Sequence, residues 1–255
     1  MLNKLYHKGA EIKSAFLNGV KVFEVFDPLS LFDGGKQGVW YDPSDITTLF
    51  QDVEGTVPVI KDGDPVALMK NKIGNGNHAV QTVSAARPVY KTDGVLHWLR
   101  FDGVDDYLLV QPFAVAIPQP FTYLSSSNRN PVSDLTTVIS STNSTERFYI
   151  FETTSNTFVR VGTASAVGGV LPSSSESKLL YVLANGTNSK VRDKDRIIQT
   201  INLGTNSYNN VIISATNTNT GFMNQDIYSI IIVGAAHNFS VNIGNYLSAK
   251  AGVTL

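Results

Sequence analysis

The chain has 255 residues, 42% of them hydrophobic and only 16% charged, with a formal net charge of −1 at neutral pH. That composition is globular and excludes a disordered chain, and the near-zero charge offers no clustered positive field for nucleic acid or an anionic membrane. No cysteine is present, which excludes disulfides, thiolate metal sites and thiol nucleophiles.

Residues 1–9 lack the apolar stretch of a signal peptide, and the longest apolar run, 230–233 with its small neighbours, is far too short to span a bilayer. The expectation is a soluble chain made in a cytoplasm, with the sequons at Asn143, Asn185 and Asn238 arising by chance in an Asn/Ser/Thr-rich sequence. Residues 4–7 and 12–17 are strand candidates, and Asn18-Gly19 is a hairpin turn leading into 20–23. Two or three such strands bury too little surface to stand alone in water. Residues 1–26 therefore read as a small unit that docks on something else, with Leu5, Tyr6, Phe16, Leu17, Val22 and Phe23 as its contact residues. Residues 27–38, punctuated by Pro28, Gly34, Gly35 and Gly38, read as a linker.

From Val39 onward, strand candidates recur at roughly 8–12-residue intervals, the spacing of a sandwich or barrel. They fall at 98–101, 107–110, 121–124, 136–140, 148–151, 158–161, 179–183, 211–214 and 227–233. A further hairpin is expected at 190–198 around Asp193-Lys194-Asp195. The unbroken apolar run 230–233 predicts a central strand covered on both faces. At the end, Ser240 as N-cap, Ile243, Tyr246 and Leu247 at helical spacing, Lys250 in the last turn and Gly252 at C′ predict a closing helix.

Candidate chemistry is sparse. In Phe101-Asp102-Gly103-Val104-Asp105-Asp106-Tyr107, two core-facing aromatics flank a turn that needs φ > 0 at the glycine. Asp102, Asp105 and Asp106 form the kind of oxygen set that calcium prefers. The same residues also read as turn chemistry, with Asp102 capping its own turn. Gly74-Asn75-Gly76-Asn77-His78-Ala79 matches a dinucleotide glycine pattern. It lacks the preceding hydrophobic strand and the long following helix, so it reads as a surface turn anchored by His78. His7, His97 and His237 have no zinc-ligand spacing and read as structural. Trp40 and Tyr41 are the candidate ring faces for a sugar, whereas Trp98 and Tyr107 read as core. The Glu-x-Asp-x-x-Glu arrangement of sandwich glycosidases is absent. Glu146 and Glu152 on one strand would stand about 20 Å apart, beyond the roughly 5–9.5 Å of hydrolytic pairs. The resulting expectation is that the chain is not an enzyme, with no cofactor other than calcium.

Several blocks, in order, carry a resemblance. They are Val39-Trp40-Tyr41-Asp42-Pro43-Ser44-Asp45, Thr48-Leu49-Phe50-Gln51-Asp52, Asp62-Gly63-Asp64-Pro65-Val66, Ala86-Arg87-Pro88-Val89-Tyr90 and the Phe101 to Tyr107 block. Asn185-Gly186-Thr187-Asn188-Ser189, the 227–233 strand and the ending from Asn245 follow. Together they resemble concanavalin A-like, laminin G-type jelly-roll domains in proteins of tailed bacteriophages. Asp193-Lys194-Asp195 departs from the Asn-Gly common at that hairpin.

The resemblance implies an all-β, antiparallel jelly-roll β-sandwich over 39–255 that ends in a short helix. It implies a virion structural protein, a capsid decoration or tail-fibre component, made in the bacterial host. Residues 1–26 resemble a lead module at the start of virion proteins, so they would attach to other virion proteins, with a homo-oligomer expected. The alternative is a carbohydrate-binding module for host surface polysaccharide, assisted by calcium. Neither implies contact with nucleic acid or insertion into a membrane.

Overall fold

The computed structural model describes residues 5–7, 10–12, 14–17, 20–24, 26–129, 136–141, 148–153, 156–161, 168–172, 178–193, 199–216 and 220–254. Within these, the side chains of 5–24, 136, 152, 168–172, 178 and 199 are not described. The N-terminal segment folds as two antiparallel ribbons, β1 (Leu5–His7) with β2 (Ala10–Ile12) and β3 (Ser14–Leu17) with β4 (Val20–Glu24). Among the described residues, each ribbon hydrogen-bonds as its own two-stranded sheet.

The sandwich begins with β5 (Gly38–Tyr41), β6 (Leu49–Phe50), β7 (Leu68–Met69), β8 (Ala79–Val80), β9 (Val89–Thr92) and β10 (His97–Asp102). It continues through β11 (Leu108–Val110), β12 (Phe121–Arg129), β13 (Thr136–Ser140), β14 (Phe148–Glu152), β15 (Asn156–Val161) and β16 (Gly168–Pro172). The last strands are β17 (Lys178–Ala184), β18 (Ser189–Arg192), β19 (Gln199–Ile201), β20 (Val211–Ile213) and β21 (Asn224–Val233), followed by the helix α1 (Val241–Ala251).

Among the described residues, one antiparallel sheet has eight strands in the order β19-β18-β17-β12-β21-β10-β9, with β5 also paired to β21. The other has nine, in the order β16-β15-β14-β13-β20-β11-β8-β7-β6. The chain is thus an all-β sandwich of two antiparallel sheets closed by one helix.

β21 explains the layering. Successive strand residues face opposite sides, so Ile230 and Ile232 enter the core between the sheets while Ile231 and Val233 face the outer cluster under α1. All four are fully buried, as the unbroken apolar run requires. The helix obeys its sequence signals: Ser240 Oγ accepts the Ile243 amide, and Gly252 closes the helix in the left-handed region at φ +66°. A side chain there would be strained and would press on Leu96.

Three readings shift. Residues 27–38 are not bare linker: Pro28–Phe32 forms a 3₁₀ helix that buries Leu31 and Phe32 in the cluster under α1. β12 runs five residues past the apolar 121–124 segment, because Ser125, Ser126 and Ser127 lie buried within the ladder to β17 and β21. The expected hairpin at 190–198 is described only in part, with residues 194–198 outside the described residues.

Candidate functional site

The Asp102 turn is where the chain crosses between sheets, since β10 belongs to the eight-stranded sheet and β11 to the nine-stranded one. Gly103 has φ +79°, and a Cβ there would collide with the Asn224 backbone nitrogen, so only glycine fits. Asp102 Oδ1 accepts the Val104 amide at 2.7 Å and the Asp105 amide at 3.3 Å. Asp106 Oδ2 accepts the Asp102 amide at 3.0 Å and ties the loop shut. Asp102 is exposed, Asp105 half-buried and Asp106 buried.

The three carboxylates offer oxygens that all lie within 4.8 Å of one another. Burial, with the charges of Asp102 and Asp105 behind it, pushes the Asp106 carboxyl up to about 6 against the opposing Asp102 N–H. This cluster can do two things: hold a proton on Asp106 up to about pH 6, or supply three of the six to eight oxygens a calcium ion takes.

Trp40 and Tyr41, read from sequence as ring faces for a sugar, are corrected by their burial. They are neighbours on β5, which is covered on both faces, so one side chain goes each way. Trp40 lies under α1, its indole N–H donating to the Tyr246 hydroxyl at 3.1 Å and its ring beneath the Lys72 ammonium at 4.5 Å. Tyr41 is fully buried between the sheets, and its hydroxyl donates to the carbonyl of Asn77. Burial raises the Tyr41 phenol well above its ordinary value.

A pocket that the sequence did not single out lies at the opposite end of β21 from the Asp102 turn. Its volume is about 200 Å³, and it is lined by Gln37, Gly38, Asn75, Asn77 and the segment from Phe113 to Ile117. Nine residue steps of β21 separate Asn224, against the Asp102 turn, from Val233, which pairs with Gly38, a span of about 30 Å.

The residues of the pocket are pinned by backbone and side-chain hydrogen bonds. The Gln37 carbonyl accepts the Gly234 amide at 2.8 Å. Asn75 donates to the Gly38 carbonyl at 3.1 Å and accepts from Asn71 at 2.6 Å. The Asn71 amide in turn donates to His78 Nδ1 at 3.1 Å, the anchoring role expected of that histidine. Phe113 donates to the Asn209 carbonyl at 2.7 Å, and Ile117 exchanges two backbone bonds with Tyr208. Asn77 sits at φ +52°, a conformation asparagine tolerates better than most residues. The signal present in the sequence was the Gly-Asn-Gly-Asn run, which favours such backbone angles.

The remaining candidates are placed as follows. The backbones of Leu5 and Tyr6 lie in β1, of Phe16 and Leu17 in β3, and of Val22 and Phe23 in β4. Val22 is the extra residue of a bulge, since Ala15 pairs with Phe23 and Phe16 with Lys21. Their side chains lie outside the described residues. Glu146 and the side chain of Glu152 do too.

No family model and no curated protein matches the sequence. The fold is similar to that of Trypanosoma rangeli sialidase in complex with the inhibitor DANA, with a TM-score of 0.53 at 10% identity over 95% of this chain and 36% of that one. It is also similar to the botulinum neurotoxin serotype G binding domain (TM-score 0.52, 12% identity, 70% of this chain and 48% of that one). An arabinofuranosidase complexed with arabinofuranosyl-alpha-1,2-xylobiose matches at TM-score 0.52 and 8% identity, over 73% of this chain and 51% of that one. The chain spans little more than a third of the sialidase's length. At these identities the likeness establishes the sandwich fold alone.

The expectation that the chain is not an enzyme is corrected: this fold is shared with a sialidase and an arabinofuranosidase, so it gives no ground for excluding enzymatic activity. The missing Glu-x-Asp-x-x-Glu pattern and the Glu146–Glu152 spacing speak only to carboxylates on one strand. Carboxylates on separate strands or across one turn meet in space, as Asp102, Asp105 and Asp106 do.

Proposed function

We propose that the chain is a virion component of a tailed bacteriophage, attached to other virion proteins through residues 1–26 and displaying the sandwich outward. The observation that carries this reading is the pairing of β1–β2 and β3–β4 as separate two-stranded sheets. Ribbons of that size are marginal alone in water and gain stability by docking on a partner surface. The ordered blocks that resemble phage jelly-roll proteins support the same reading, and a symmetric particle makes a homo-oligomer the expected assembly. The test is particle assembly with a chain lacking residues 1–25. Normal incorporation of that chain would sink the attachment reading.

A second reading, recognition of host surface polysaccharide by the sandwich, is favoured by the pinned, amide-lined pocket at one end of β21. Pre-formed concave sites with a few fixed polar groups are the usual form of small-ligand sites. One solved chain with a similar sandwich, the sialidase, is seen in complex with sialic acid. Calcium at Asp102, Asp105 and Asp106 would act about 30 Å away, as a brace for the crossover loop and not as a sugar ligand. Binding of host polysaccharide to the immobilised full chain, measured with and without calcium, tests this reading. Absence of binding in both conditions counts against it.

A further inference from the structure

Three features of the pocket at the end of β21 define the ligand it suits. The first is size: about 200 Å³ is below the roughly 300–1,000 Å³ of sites for drug-sized ligands, so the pocket holds one ring and not an oligomer. The second is charge. None of its lining residues carries an ionisable side chain, so a carboxylate or phosphate would enter without a counter-charge and lose its hydration. The third is the mixture in its lining. Phe113, Val115 and Ile117 are apolar, Phe113 and Ile117 being buried and Val115 exposed, while Gln37 and Asn77 bring side-chain amides that have no hydrogen-bond partner among the described residues. Each amide offers both a donor and an acceptor.

A lining that combines apolar residues with neutral donor–acceptor amides matches a pyranose ring, which has a C–H face and a rim of hydroxyls. We propose that this pocket binds a neutral hexopyranose, the terminal unit of a host glycan. The proposal rests on the carbohydrate-recognition reading and names its site and its sugar class.

Rigidity favours the assignment. The Tyr41 hydroxyl holds the Asn77 carbonyl from inside the core, and Tyr208 and Asn209 hold both ends of the 113–117 segment. The backbone around the pocket is therefore fixed, and the ordering left for binding is that of the Gln37 and Asn77 side chains. Val115, 62% exposed, belongs to the apolar part of the lining.

The experiment titrates the full chain with methyl glucoside, methyl galactoside, methyl mannoside and sialic acid, followed by calorimetry and NMR shifts, with intact host polysaccharide as a further arm. Expected are saturable binding of at least one neutral glycoside, no binding of sialic acid, and shifts confined to residues 37–38, 75–77 and 113–117. Gln37→Ala and Asn77→Gly should each weaken binding about tenfold, the scale of one lost hydrogen bond with its orphaned partner. Val115→Trp should block the pocket, and Val95→Ala, at an exposed residue outside the lining, should change nothing. Asn77→Gly keeps the backbone angle accessible, so a loss of binding there reports the amide and not misfolding.

Neutral-sugar binding that survives all three pocket variants overturns the site while leaving carbohydrate recognition standing. Preference for sialic acid, or binding of polysaccharide without any neutral glycoside, does the same. No binding of any sugar or polysaccharide overturns both.

Discussion

Asp106 is the residue whose environment departs furthest from what a carboxylate prefers. It is 6% exposed, it faces two other carboxylates, and its folded value of about 6 lies above the ordinary value near 3.9. The native state therefore holds a proton that the unfolded chain has released between those two pH values. Stability from this group is fully present below about pH 4 and is lost as the pH rises through about 6, leaving a penalty of roughly 3 kcal/mol at pH 7.5. Asp106→Asn keeps an acceptor for the Asp102 amide and removes the charge. Thermal melts should show the variant more stable than the parent at pH 7.5, with the gap closing by pH 4; a gap independent of pH would mean the shift has another origin. Millimolar calcium at pH 7.5, if the three carboxylates hold it, should raise the parent's Tm and leave the variant's nearly unmoved. The turn itself was legible in the sequence because its determinants are local: an aspartate that caps two residues on, and a glycine that must take φ > 0. The pocket was not, because 37–38, 75–77 and 113–117 are brought together only by strand pairing; the Gly-Asn-Gly-Asn run marks a turn without its neighbours, and Gln37 carries no pattern that distinguishes it from other surface amides.

At the scale of single elements, α1 carries the clearest energetic argument. Its capping signals were readable, since Ser240, Lys250 and Gly252 stand where helix ends want them. What Lys250 does there was not readable, because its partner lies 208 residues away. Lys250 Nζ donates to Asp42 Oδ1 at 2.9 Å, to Asp42 Oδ2 at 2.7 Å and to Ser44 Oγ at 2.6 Å. The Asp42 side chain is only 4% exposed, and the next cation, Lys72, is 3.9 Å away. A carboxylate buried to that degree depends on its partner, so Lys250→Met should cost about 3 kcal/mol in urea denaturation. The double variant Asp42→Asn/Lys250→Met should recover most of that loss, because the penalty lies in the orphaned charge. Additive losses in the double variant would show that the helix is held by its apolar face alone. Gly252→Ala tests the other end of the same turn. Its left-handed backbone and the 2.7 Å approach of a new Cβ to Leu96 should together cost about 1–2 kcal/mol. The misreading of Trp40 and Tyr41 has the same origin as the missed Asp42 pair. Aromatic residues next to a proline-bearing loop look like surface rings until β5 is known to lie against β21 with a helix on one side and a second sheet on the other.

For the whole molecule, the boundary between the N-terminal ribbons and the sandwich is set by packing and not by the glycines that suggested a linker. Phe26 meets Tyr246 edge-on at 5.8 Å, and Leu31 and Phe32 are buried with Leu247 and Ile243 beneath α1. The sandwich therefore reaches back to about residue 26, and the part able to act separately is the pair of ribbons before it. Two truncations separate the roles. Removing residues 1–25 deletes only the ribbons, so urea denaturation should give a stability within about 1 kcal/mol of the full chain, since every described member of the two hydrophobic clusters lies at residue 26 or beyond. Removing residues 1–34 also strips Leu31 and Phe32 from the cluster, at roughly 1.5–3 kcal/mol for each large apolar side chain. It should lower the denaturation midpoint sharply and loosen the helix. Both chains should fail to join particles, but only the longer deletion should be unstable in solution. If the shorter deletion is as unstable as the longer, the ribbons are part of the sandwich's own fold, and attachment must be sought on another face.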